Sequence, residues 1–249
     1  MKIFEVKSFL SAEERKKIRS LHGKKRLQYI WDYYKIPILI ALILLYILGY
    51  SIYGRVTHKE PVLYTGLVNV MPGETLTEKL GEGFLREYGK DESKYEHLLR
   101  TGLYLTENTS ETDQQYVYAS QMKILAGIEG KQLDVVIFDK EAFDAFSQNG
   151  YLCNIYELLE ENNASLLEKL KPYIVTNVHI IKDNAKEVAV DQNIPYKAET
   201  KSYPMGIDLS KAPMFLEAGF DDKVYLGVVA NSPRMDAAVE YIEYLYQEA

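Results

Sequence analysis

IPILIALILLYILGYSIY, residues 36–53, runs from Ile36 to Tyr53 without a charged side chain. As a helix it is roughly 27 Å long at ~1.5 Å per residue, close to the ~30 Å hydrocarbon core of a bilayer. Each of its Ile and Leu residues favours insertion by ~0.3–0.6 kcal/mol, and nothing within the stretch opposes them. A helix buried in a soluble core keeps polar positions at a ~3.6-residue period; this one has no polar face. The stretch therefore reads as a single transmembrane helix, residues 36–54, with Pro37 in its first turn, where a missing N–H costs little.

Orientation follows from charge. Residues 1–35 carry ten basic side chains against four acidic ones, whereas only Arg55 and Lys59 lie close on the far side. The positive-inside rule places this basic leader in the cytoplasm and the C-terminal portion outside the cell membrane. Trp31, Tyr33 and Tyr34 at one end and Tyr50 and Tyr53 at the other suit the two interfaces. A cleavable signal peptide would need a shorter leader and a small-x-small cleavage site, so an uncleaved anchor is the better reading. The leader also suits contact with an anionic inner leaflet. Ser11 and Glu14 have the capping-box spacing, which predicts a helix from Ala12.

A connector, residues 55–61, leads to residues 62–249, a length within single-domain range. The whole chain has a formal charge of −7; with the basic leader set aside, about −13 remains on the rest. Such a surface repels nucleic acid, which is excluded as a partner. Cys153 is the only cysteine, so no intrachain disulfide holds the fold, and its apolar neighbours suggest a packed thiol.

Along the domain, Val62–Val70 reads as a strand, Glu74–Tyr88 as a helix and Arg100–Thr106 as a second strand. Tyr116, Ala119, Met122, Ile124 and Ile128 mark an amphipathic helix. The continuous apolar run Leu133–Phe138 is the clearest strand, buried on both faces, and Asp139 precedes a helix that Gly150 closes. Asn154–Lys171 supplies more helix, and Tyr173–Pro195 suggests two strands about a KDNAK turn. A short helix near Met214, a strand Val224–Ala230 and a helix from Pro233 complete the chain. Strand–helix alternation predicts an α/β fold: a mostly parallel sheet with helices on both faces.

KQLDVVIFDKEAFDAFSQNGYLCNIYELL (residues 131–159) and the closing segments GIDLSKAPMF and YLGVVANSPRMDAAVEYIEYL from Gly206 resemble the extracytoplasmic solute-binding proteins of the type 2 periplasmic-binding fold. The resemblance implies two lobes around a ligand cleft, the second abbreviated to about residues 153–195. Open α/β sheets bind ligands beyond the carboxyl ends of their strands. Asn69, Glu107, Asn108, Asp139 and Asn231 are the candidates there, and each is also a fitting cap or turn residue.

The four histidines, His22, His58, His97 and His179, have no metal-ligand spacing, and neither a nucleophile elbow nor a phosphate-cradling loop occurs. Asp139-Lys140-Glu141 begins like a calcium loop, but Phe143 stands where an oxygen ligand is needed. No cofactor is implied. The expected function is a membrane-tethered, non-enzymatic binding protein that captures a small solute or peptide, for a transporter. The alternative is a degenerate module of the same kind that serves as an accessory subunit of a membrane complex.

Overall fold

The computed structural model describes residues 12–105, 111–220 and 222–247. They form two compact units, Met1–His58 and Lys59–Ala249.

The first unit holds α1 (Ala12–Ser20) and α2 (Lys24–Thr57). The start of α1 agrees with the expected capping box, although Ser11 itself lies outside the described residues. Within α2, the stretch Lys24–Gly54 is long and apolar enough to cross a membrane, and none of its most apolar window is buried. The helix starts well before Ile36, so Pro37 lies in its interior, not in a first turn. There the ring leaves the Tyr33 carbonyl without its intrahelical donor.

The second unit runs β1 (Glu60–Val68), α3 (Glu74–Glu78), a π-helical turn at Lys79–Gly83, α4 (Phe84–Glu87), β2 (Tyr95–Leu103), α5 (Glu111–Glu129), β3 (Val135–Phe138) and α6 (Lys140–Gln148). It continues with α7 (Ile155–Asn162), α8 (Ala164–Leu170), β4 (Ile174–Asp183), α9 (Ala185–Val190), β5 (Ala198–Asp208), α10 (Pro213–Glu217), β6 (Tyr225–Val228) and α11 (Met235–Leu245). The strands form one six-stranded sheet in the order β2-β1-β3-β6-β5-β4.

The sheet is mixed where a mostly parallel one was expected. β1 is parallel to β2 and β3, while β3–β6, β6–β5 and β5–β4 are antiparallel. Parallel neighbours need a long crossover. Residues 209–224 join β5 to β6 through a 3-10 turn at Leu209–Lys211 and the five-residue α10, and β6 returns directly beside β5 in the opposite direction. The expected KDNAK hairpin is also displaced. AKEVAV is the helix α9, and β4 pairs instead with β5, Ile174 opposite Ile207 and Asp183 opposite Ala198. Asn184 closes that loop, its Oδ1 accepting from Lys197 N at 2.7 Å and its Nδ2 donating to Pro195 O at 3.1 Å.

Both faces of the sheet are covered. Val135 and Ile137 of β3 join a core with Leu63, Leu67, Phe84, Leu226 and Tyr241, under α4, α7, α8, α10 and α11. Val136 and Phe138 point the other way, to Ile128 of α5 and Phe143 and Phe146 of α6. This is the period of two that a strand imposes, and each such side chain contributes ~1.5–3 kcal/mol on burial. Ile155, Leu159, Leu166, Leu167 and Leu170 lie in the first core. Residues 153–170 thus give helices to the common body and β4 forms the edge strand of its sheet, within the one compact unit Lys59–Ala249, while α9 buries no residue. On α5 the buried stripe is Val117, Ser120, Ile124 and Ile128, whereas Tyr116, Ala119 and Met122 face outward. Their three-residue spacing drifts off the 3.6-residue period, so only Ile124 and Ile128 of the expected face point inward.

Candidate functional site

β1 and β3, adjacent and parallel, end side by side, and their next residues are Asn69 and Asp139. Asn69 has φ 58, a left-handed conformation that asparagine tolerates well. Its Nδ2 donates to both Asp139 carboxylate oxygens at 3.2 and 3.3 Å, and its Oδ1 accepts from Leu105 N at 2.8 Å. Asp139 also caps α6, accepting from Ala142 N at 2.9 Å. These two residues therefore tie the ends of three strands together, and their polar atoms are largely used in doing so.

A cleft of about 500 Å³ opens beside them. Its charged lining is Lys140, Glu141, Asp222 and Lys223 together with Asp139. Lys140 pairs with Asp144, and Lys223 Nζ lies 3.6 Å from Asp208 Oδ2. The Lys223 ammonium pKa is raised, first by its hydrogen bond to Tyr225 and then by the Tyr225 and Asp208 charges.

Of the other sequence candidates, Glu107 and Asn108 lie outside the described residues. Asn231 is at the opposite end of the sheet. It follows β6, which runs against β3, so it sits by the start of β3 and donates from Nδ2 to Ile128 O at 2.8 Å. The same reversal explains what the sequence reading missed: the amino end of β6 faces the cleft, and with it Asp222 and Lys223. Their position just before an apolar strand was visible, but the direction of that strand was not.

Two further polar clusters are structural. In the π-helical turn, the Lys79, Leu80 and Gly81 carbonyls accept from Tyr244 OH at 2.8 Å, Tyr241 OH at 2.9 Å and His97 Nδ1 at 3.0 Å. A carbonyl only accepts, so Nδ1 carries the imidazole proton and Nε2 accepts from the Thr65 hydroxyl at 2.8 Å. Burial lowers the His97 pKa from 6.5 to about 4, against smaller opposing contributions from Gly81 and Asp134. As the pH falls below 6.5, the unfolded chain takes up a proton that the folded one refuses until about 4. Stability present above that window is lost within it. The unfolding free energy from urea titration should fall further between pH 7 and pH 4.5 in the native protein than in His97→Gln, by about 2 kcal/mol. Equal pH slopes in the two proteins would dismiss this account.

The second cluster centres on Asp134, fully buried just before β3. It accepts from Tyr64 N at 2.8 Å, Ser232 Oγ at 2.6 Å and Arg234 Nε at 2.8 Å. The Arg234 guanidinium also donates to Lys131 O and stacks 4.6 Å from the Tyr64 ring centre.

Cys153 packs against the first core, and burial pushes its thiol pKa up to about 12. A neutral thiol is a poor nucleophile. Alkylation by iodoacetamide at pH 8 should be at least roughly tenfold slower than for a free cysteine and reach that rate only in denaturant; fast labelling of the folded protein would contradict the packing. Among the described residues, no group of three or more His, Cys, Asp or Glu is placed to hold a metal ion.

No family model, no curated protein and no solved structure matches this chain.

Proposed function

We propose that this chain is a membrane-anchored binding protein that performs no covalent chemistry. In this reading α2 spans the bilayer with the basic leader in the cytoplasm, and the Lys59–Ala249 unit stands outside. It captures a small solute or peptide that bears charges of both signs, for an adjacent transporter. The observation that carries the reading is the cleft of about 500 Å³ where β1 and β3 end, whose lining includes Lys140 and Lys223 as well as Glu141 and Asp222. Carboxyl ends of parallel strands are the usual ligand side of an α/β sheet, and the volume lies in the range of small-molecule sites.

A second reading makes the unit an accessory subunit of a membrane complex. It is favoured by the single undivided sheet and by the β4–β5 hairpin, whose far end exposes Ile181, Val190 and Tyr196.

Thermal unfolding of the Lys59–Ala249 unit with amino acids, short peptides, sugars and divalent metals separates the two. A ligand at ~100 times its Kd adds about 2.7 kcal/mol by mass action, and Asp222→Asn with Lys223→Gln should abolish the gain. If no compound raises the midpoint, the solute reading fails. The accessory reading then requires that trimming residues 185–196 to a short turn shrink the full chain's complex on native gels of mild-detergent extracts.

A further inference from the structure

The first unit contains a feature that a plain anchor does not need. α1 folds back along the start of α2 through Gly23, whose φ is 58. Lys17 Nζ lies 5.4 Å from the Tyr29 ring centre. Ile18 and Leu21 are half-buried, and so are Ile30, Tyr34 and Ile38, spaced four apart along one face of α2. An apolar groove of about 680 Å³ is lined by Ile18 of α1 and, along α2, by Ile30, Tyr34, Ile38, Ala41 and Leu44.

From Ile30 to Leu44 this groove extends ~21 Å along the helix at ~1.5 Å per residue; the uncharged part from Ile36 onward accounts for ~12 Å of that, within one leaflet of a ~30 Å hydrocarbon core. Its two ends differ in chemistry. Beyond Ile36 the wall carries no charge, so an occupant there must be apolar and free of unsatisfied backbone groups. At the other end, residues 16–35 carry seven basic side chains, Lys16, Lys17 and Arg19 on α1 among them, and the single acid Asp32. An apolar tail of one-leaflet depth joined to an anionic head is the complement of that surface.

We propose that the α1–α2 hairpin holds one anionic phospholipid, with its headgroup at the basic α1 end and an acyl chain along the groove under Ile18. This rests on α2 spanning the membrane and not on the cleft of the second unit. The site sets α1 against the cytoplasmic leaflet and makes its position depend on lipid composition.

Trp31 is the chain's only tryptophan and lies beside Ile30 with its side chain exposed. It therefore samples the lipids next to that end of α2. The full chain is reconstituted in phosphatidylcholine vesicles containing brominated phosphatidylglycerol or brominated phosphatidylcholine, and Trp31 quenching gives the relative association of the two lipids. Phosphatidylglycerol should be preferred roughly fivefold, and excess inorganic phosphate should not displace it. K16Q/K17Q/R19Q should bring the ratio close to one. So should Ile18→Gln, which leaves every charge in place, whereas Ile18→Val should retain the preference.

No preference in the native protein overturns the proposal. A preference lost in the triple variant but kept in Ile18→Gln also overturns it, since diffuse attraction then suffices. Alkaline carbonate separates the underlying reading: release of the chain from pure phosphatidylcholine vesicles defeats the spanning helix and the lipid site together. Retention without a lipid preference defeats the lipid site alone.

Discussion

Arg234→Met lowers the unfolding free energy of the Lys59–Ala249 unit by about 3 kcal/mol. The Asp134 carboxylate has no solvent exposure, and Arg234 Nε at 2.8 Å is its charge partner. With methionine there, Tyr64 N and Ser232 Oγ still donate to Asp134, but its negative charge stays buried without compensation. A domain of this size loses ~2–4 °C of Tm per kcal/mol, so calorimetry should show a drop of roughly 6–12 °C. Combining Asp134→Asn with Arg234→Met should recover part of the loss, because the uncompensated charge is gone. A native-like midpoint for Arg234→Met would mean that the pair contributes nothing. The cost is large because the charge is fully buried and its network joins β1, the start of β3 and the segment before α11, which lie far apart in the sequence.

Removing residues 1–58 transfers the protein from the membrane fraction to the supernatant completely. The Lys59–Ala249 unit has its own core on both sheet faces, so the fragment should unfold cooperatively. The full chain should instead pellet with membranes and resist alkaline carbonate, because the exposed apolar side chains from Ile36 to Tyr53 have nowhere else to go. On intact cells, added protease should degrade the second unit if the leader is cytoplasmic. Survival of that unit on intact cells, with digestion only after lysis, would reverse the proposed orientation.

The candidate site divides along the same line as the sheet. Asn69 and Asp139 were legible because each follows an apolar strand run, and both runs belong to the parallel half, where strand end and ligand edge coincide. Asn231 was read by the same rule and lies at the far end, because β6 is reversed. His97 gave no sequence signal, since its partners Thr65, Gly81 and Tyr241 come from three other segments. The two lobes implied by the resemblance are not present as such: α7 and α8 bury their leucines in the common core.

By itself the sequence determined the anchor-length helix, the positions of β1, β3, β6 and most of the helices, and the double burial of Leu133–Phe138, while it left β5 unread, took α9 for strand and set β2 five residues late. The features it determined depend on local hydrophobic pattern and length, which a chain carries in its order of residues. Only the tertiary structure decided strand direction, the β4–β5 pairing, which face of α5 is buried and which charges meet at the cleft. Those outcomes depend on how connections of a given length can return across a sheet and on contacts between distant segments, and no local periodicity records either.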